Sequence, residues 1–357
     1  MPIHFDPSRW DNLHRTYDLW WNRRLDRPLM NIKILDAYTP DRPPPKAPLL
    51  GQDNCHDFSI PPEEVVDAID YHLQKIEYLG DSFPYFNFDV FGPGVVSAFC
   101  GAGLDNSSGR VWFFVEPHLP IEEIHIKYDR ENKWAKRIKD IYRAGNERWK
   151  GQVLMGMPDL GGNLDLAAVF RTSEELLMDL YDSPEEVLRL CTEILTAWHE
   201  AYQDFNSLLR PVNPGYSDWD GLYSATPSYV LQSDFSYMIS PEMFERFVLP
   251  SLKRDCELLD HTIYHLDGVG QIPHLDKLLA LENLDAVQWV YGDGKPTARH
   301  WIDLYKRIEA AGKGIHVLGS ADDFFAVYGE VKNYLYYNAG FSRKDRETAE
   351  KLAGTGK

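Results

Sequence analysis

Cysteine is scarce in this chain of 357 residues. Its four thiols, Cys55, Cys100, Cys191 and Cys256, form no C-x-x-C pair, which excludes a thioredoxin motif and a zinc ribbon. Scattered cysteines of this kind fit a reducing compartment. Long apolar runs are missing too: none approaches the roughly 20 residues that a membrane helix needs. The segment from Met1 to Ser8 has neither a basic n-region nor an apolar h-region, so no secretory signal and a cytoplasmic location are expected. Positive charge is in short supply. Against 55 Asp and Glu stand 37 Lys and Arg, a formal charge of −18. This argues against nucleic acid or an anionic membrane as partner and says little about a small-molecule substrate, for which the local field matters more. No G-x-G-x-x-G follows an early strand, so nothing supports a dinucleotide-binding fold. Internal repeats, low-complexity tracts and clear linkers are absent as well.

What is present reads as one α/β domain over residues 1–357, 44% hydrophobic and 26% charged. Trp10, Leu13, Tyr17, Trp20 and Trp21 recur at helical spacing, giving an N-terminal helical extension within residues 1–28. Strands are expected at 29–35, 85–91, 153–158, 229–234, 261–266, 286–291, 314–319 and 331–338. A hairpin extension is expected at 111–115 and 123–127. Prolines 40, 43, 44, 45 and 48 make 39–48 a loop. Pro61-Pro62-Glu63-Glu64 opens a helix expected to reach about Leu79, and Thr172-Ser173-Glu174-Glu175 has the form of a capping box. Further helices are expected at 132–149, from Ser183 to about Leu209, near 274–280 and at 299–312. Eight strands separated mostly by helices predict a (β/α)8 TIM barrel.

The chemistry concentrates on residues 261–268, a strand broken by Gly268. His265 and Asp267 stand two apart, so both point to one side. Such a pair shares a proton, binds a metal or orients a substrate. Barrel active sites lie at the C-terminal strand ends. Those ends collect Asp89, Asp159, Asp234, His265, Asp267, Gln288, Trp289, Tyr291 and Asn338. The loop Asp218-Trp219-Asp220 adds Trp219 as a substrate contact. His118, His274 and His316 read as surface or packing residues.

Several segments resemble the superfamily of uroporphyrinogen decarboxylase and the cobalamin-dependent methyltransferases. They are Asp26-Arg27-Pro28-Leu29, Phe88-Asp89-Val90, Leu231-Gln232-Ser233-Asp234, Ser240-Pro241-Glu242, Phe247-Val248-Leu249-Pro250 and His265-Leu266-Asp267-Gly268. The chain departs from the family at three places. Lys33 to Tyr38 lacks the decarboxylase's arginines, Phe341 stands where its last-strand histidine belongs, and Asp267 replaces a zinc-binding cysteine. Uroporphyrinogen, a polycarboxylate that needs cationic partners, is therefore not the expected substrate. The resemblance implies a methyltransferase that demethylates a small substrate, with the corrinoid carried by a separate protein. His265 and Asp267 would then hold zinc or another divalent metal. Asp89 and Asp234 would orient or exchange protons, and Trp219, Gln288, Trp289 and Tyr291 would contact substrate. A metal-free decarboxylase of a small carboxylic acid, working through Asp89, is the alternative. A non-catalytic binding barrel is the third. The family also contains dimers, so a homodimer is compatible with it.

Overall fold

The computed structural model describes residues 3–356, so Met1 and Pro2 of the segment read for a signal lie outside it. Among the described residues eleven strands are formed: β1 (Leu29–Ile34), β2 (Glu77–Gly80), β3 (Tyr85–Phe86), β4 (Gly103–Asp105), β5 (Trp112–Phe114), β6 (Leu154–Met155), β7 (Ser228–Gln232), β8 (His261–Asp267), β9 (Ala286–Val290), β10 (Gly314–Val317) and β11 (Leu335–Phe341). A seven-stranded sheet runs β2-β1-β11-β10-β9-β8-β7 and is parallel except for β2. A second parallel pair joins β3 to β6, and β4 with β5 makes an antiparallel hairpin. The fold is thus a mixed α/β one.

The expected strands of the closed barrel are all represented, but the hydrogen-bonded ladder does not close. Among the described residues it is interrupted where β3 and β6 should meet β1 and β7. These two strands are only two residues long. Pro84 and Pro158 lie close to them and have no N–H for a ladder. After β3 the chain turns into a 3-10 helix, Asp89–Phe91, instead of continuing as a strand to 91. The loop around Asp218 fills the seam instead: Met157 N donates to Ser217 O at 2.8 Å, and the Tyr85 hydroxyl donates to Asp218 O.

Two further expectations are corrected. The helix begun at Pro62 ends at Leu73, and residues 77–80 pair antiparallel with β1. The hairpin partner of β5 is β4, upstream of it, while Ile121–Glu123 is a 3-10 turn.

The N-terminal helix Arg9–Trp21 decides which end of the sheet is available. Trp20 Nε1 donates to Leu335 O at 3.1 Å, at the first residue of β11. Gly314 opens β10, and a Cβ there would sit 2.8 Å from the Trp20 ring, so the helix seats only because that position is glycine. Tyr17, Trp20 and Trp21 are all buried against the N-terminal strand ends. Aromatic groups of this size each remove roughly 150–250 Å² from water. The C-terminal ends are therefore the open face.

Candidate metal centre and adjoining cleft

β8 puts His265 and Asp267 on the inner side, with Tyr264 and Leu266 buried on the other. His265 Nε2 lies 4.0 Å from Asp267 Oδ2. Asp234 joins them from the 3-10 helix Asp234–Met238 that follows β7. One donor atom from each of the three falls within 4.8 Å of the others. Zinc bonds to nitrogen and oxygen are about 2.0–2.2 Å, so small side-chain rotations would draw donors this close onto one ion. Two carboxylates and one imidazole form a mixed oxygen–nitrogen donor set with coordination positions left for a ligand. All four thiols are elsewhere and pushed up by burial, to about 11 for Cys256 and about 12 for the others.

The orientation of the imidazole is set behind it. Gln288 on β9 pairs with His265 in the sheet register. Its Nε2 donates to Asp220 Oδ1. That directs Oε1 at His265, and an amide oxygen only accepts, so His265 Nδ1 carries the hydrogen. Nε2 is left with its lone pair toward Asp234 and Asp267. This is the arrangement by which an outer carbonyl fixes a metal-binding tautomer. Burial lowers the His265 pKa, against the pull of Gln288 and the acids, which favours the neutral, ligating form. Asp220 is itself buried and lies 2.6 Å from His316 Nδ1. His316, expected at the surface or in packing, is thus a buried member of the polar network behind the site. His274 does pack: it stacks on Phe244 and meets Ser236 O at 2.9 Å. His118 is exposed.

Asp234 is placed by Asp165, which the sequence did not mark. Asp165 Oδ2 accepts from Asp234 N at 3.0 Å and Oδ1 from Phe235 N at 2.7 Å. Asp165 lies in the first turn of the helix Asn163–Arg171, whose start abuts β7. A Cβ on Gly162 would come within 2.4 Å of Gln232 O, so glycine permits that approach. The carboxyls crowd one another. Burial and then the Asp234 charge push Asp165 up to about 7. Burial and Asp267 push Asp234 up to about 6, although part of this residue faces solvent. Asp159 is raised to about 7 by burial, with backbone donation from Gly161 opposing and Asp234 adding to it. A cation relieves this repulsion.

Beside the triad opens a cleft of about 470 Å³. Asp165, Asp234 and Gln232 lie along it, with Trp112 and Phe113 from β5 and Tyr237. A narrower cavity shares its Gly161 and Gln232 wall but contains none of the triad; the larger cleft is the one the chemistry adjoins.

The other expected site residues divide. Trp219 sets its ring edge-on to His265, centroids 5.0 Å apart, and its Nε1 is buried without a partner. Asp89 sits in its own turn, part-buried, with its N–H donating to Asn87 Oδ1 at 3.0 Å. Burial raises its pKa. It belongs neither to the triad nor to the cleft lining. Trp289 points away from Gln288 and packs on Trp301, centroids 5.1 Å apart. Tyr291, two residues on, is partly buried and outside the cleft. Asp218 ties its loop to β7: Val230 N donates to Oδ2 at 2.7 Å.

No family model and no curated protein matches the chain. Among solved structures it is similar to a methyltransferase from Methanosarcina mazei, with a TM-score of 0.56 over 88% of this chain and 94% of that one. Sequence identity is 12%, so the likeness is one of fold. No helix among the described residues is long and apolar enough to cross a membrane.

Proposed function

We propose that this chain is a metal-dependent methyltransferase, built on a barrel of the uroporphyrinogen decarboxylase type, that removes a methyl group from a small substrate. The observation that carries the reading is the convergence of Asp234, His265 and Asp267 beside a cleft at the open strand ends. The fold likeness to a methyltransferase agrees with it. Zinc or another divalent ion held by these three residues would supply Lewis acidity to the atom from which the methyl departs.

The chain's own groups do the rest. Gln288 holds His265 in the tautomer whose Nε2 is free to ligate. Asp165 fixes the turn that presents Asp234. Trp112, Phe113 and Tyr237 offer apolar surface for the substrate body. Trp112, Tyr237 and Met238 stay exposed at the mouth, an apolar rim suited to a flat corrinoid brought by a partner protein as methyl acceptor. Metal-free decarboxylation of an acid has less support. No Arg or Lys among the described residues lines the cleft to hold a carboxylate.

Metal content of the purified protein, with Asp234→Ala, His265→Ala and Asp267→Ala beside it, is the direct test. About one ion per chain, lost in all three variants, supports the reading. Full metal content in the variants, or none after incubation with zinc, cobalt and manganese, refutes the site.

A further inference from the structure

Lys33 is the fifth residue of β1, near the open C-terminal end of the strand. It shares a side with Asn31, whose amide nitrogen faces the Tyr336 hydroxyl at 3.5 Å, and that hydroxyl donates to Gly221 O at 3.0 Å. Both side chains therefore turn inward. Among the described residues the Lys33 ammonium makes one hydrogen bond, to Asn338 Oδ1 at 3.3 Å. The Tyr85 ring stands 6.0 Å away, at the limit of a cation–π contact. An ammonium has three N–H donors, so two are left over. Asn338 Nδ2 faces Asp220 O at 3.5 Å, which turns the amide oxygen to the lysine.

No neighbouring acid balances this cation, in a chain with a formal charge of −18. Burial alone lowers its pKa, to about 8. The two other buried lysines are satisfied: Lys139 pairs with Asp204 at 2.8 Å, and Lys313 Nζ donates to Leu281 O at 2.7 Å. A lysine that only lays its stem on the protein carries its head into open water, where burial does not depress it. Lys33 is recessed and still partly exposed, so it is reached from the mouth. The place lacks one negative charge.

The position of that charge relative to the triad is set by the sheet. From β1 the order runs through β11, β10 and β9 to β8, which bears His265 and Asp267. The loop of Trp219 lies between these two walls. A Cβ on its Gly221 would come within 2.9 Å of Asn338 Nδ2, while the Trp219 ring meets His265. Trp219 is partly exposed, so a molecule reaching from Lys33 to the triad passes over it. One cation balances one charge, which suits a carboxylate better than a phosphate carrying about −1.5 to −2.

We infer that Lys33, oriented by Asn338, holds the carboxylate of the substrate, and that the substrate is a small carboxylic acid with a methyl ether or methyl thioether at its other end. The inference rests on the methyltransferase reading and narrows its substrate class. An ether oxygen or thioether sulfur keeps a lone pair for an ion on Asp234, His265 and Asp267. Lys33 lies outside the cleft beside Asp234, so the carboxylate is gripped across the mouth and not cleaved.

The test is calorimetric titration of the full chain with 4-methoxybutanoate, its uncharged amide and 4-(methylthio)butanoate, first without metal so that no ion competes for the carboxylate. Both acids are expected to bind about tenfold tighter than the amide. Lys33→Met, close in length and uncharged, should bind acid and amide alike. Lys33→Arg, which keeps the charge, should retain the preference. Equal binding of acid and amide by the parent, a preference kept in Lys33→Met or seen only with zinc bound, or no saturation by any probe overturns the inference. Binding is read without turnover. Acid-selective binding through Lys33 by a protein that transfers no methyl group would defeat the methyltransferase reading alone. Demethylation of an uncharged methyl ether with no preference for acids would defeat this inference alone.

Discussion

His265 and Gln288 are locked in a single hydrogen-bonding sense: the ring Nδ1–H donates to the amide oxygen, because the amide nitrogen is engaged by Asp220. A leucine at 288 removes the acceptor and frees the ring. Gln288→Leu is expected to weaken metal binding about 10–100-fold, the usual effect of losing an outer-shell partner. Competition with a chromogenic chelator measures it, and circular dichroism checks that the fold is kept.

Asp220→Leu addresses the same lock from behind. Without Asp220, the Gln288 amide is free to turn and present its nitrogen to His265, which then carries its proton on Nε2. Nitrogen NMR shifts of the metal-free protein should report the tautomer change, together with weaker metal binding. An unchanged tautomer would separate Asp220 from the orientation of His265.

Asp159 predicts how stability follows pH. Its folded pKa, about 7, lies above the ordinary value of 3.8, mainly through burial. A carboxyl with a raised folded pKa stabilises the fold fully below about pH 4 and loses that contribution as pH rises through about 7. Asp165 and Asp234 act in the same sense. Thermal unfolding in chelator should therefore give a Tm that falls between pH 4 and 8 from this cluster. Asp159→Asn keeps an oxygen for the Gly161 N–H (2.9 Å in the parent) and should flatten the slope.

Metal addition should act oppositely. A divalent ion binds ionised carboxylates, so zinc or manganese at 100 times its Kd is expected to stabilise by about 2.7 kcal/mol near pH 8. Much less is expected near pH 5, where protons compete. Differential scanning calorimetry at the two pH values checks this, and the Asp234→Ala variant should show no metal effect at either.

Asp81 anchors the first strand. Arg27 grips its two oxygens at 2.7 and 2.9 Å, and Met30 N donates to it at 2.9 Å. Asp81→Ala strands a partly buried guanidinium and a buried N–H, at a cost of about 3–5 kcal/mol. Urea denaturation should show the loss as a lower midpoint with little change in slope.

These positions also show what the sequence makes legible. His265 and Asp267 were readable together because strand alternation is a local rule, and β8 obeys it over seven residues. The same rule, applied to β9, separates Gln288 from Trp289, and the expectation that both face the substrate neglected it. Asp165 carries no local signal: its two acceptors are used by residues roughly seventy positions away, a contact only the tertiary fold creates. His316 was passed over because nothing near it in sequence announces Asp220. The helix from Pro62 was extended too far because residues 77–80, pairing with β1, continue an apolar pattern without a proline or glycine before Gly80. Among the described residues the ladder is interrupted at two strands of two residues each, whose ends are set by prolines and by the loop that fills the seam.

The bond from Asp165 to the turn of Asp234 couples two events along one short helix. Leu166 and Val169, on the helix Asn163–Arg171, line the cleft, while Asp165 on the same helix holds a candidate ligand of the ion. A molecule that displaces this helix must also displace Asp234. Occupancy of the cleft and affinity for the ion are then thermodynamically linked, by the same factor in both directions. No separate regulatory domain would be needed for either site to sense the other.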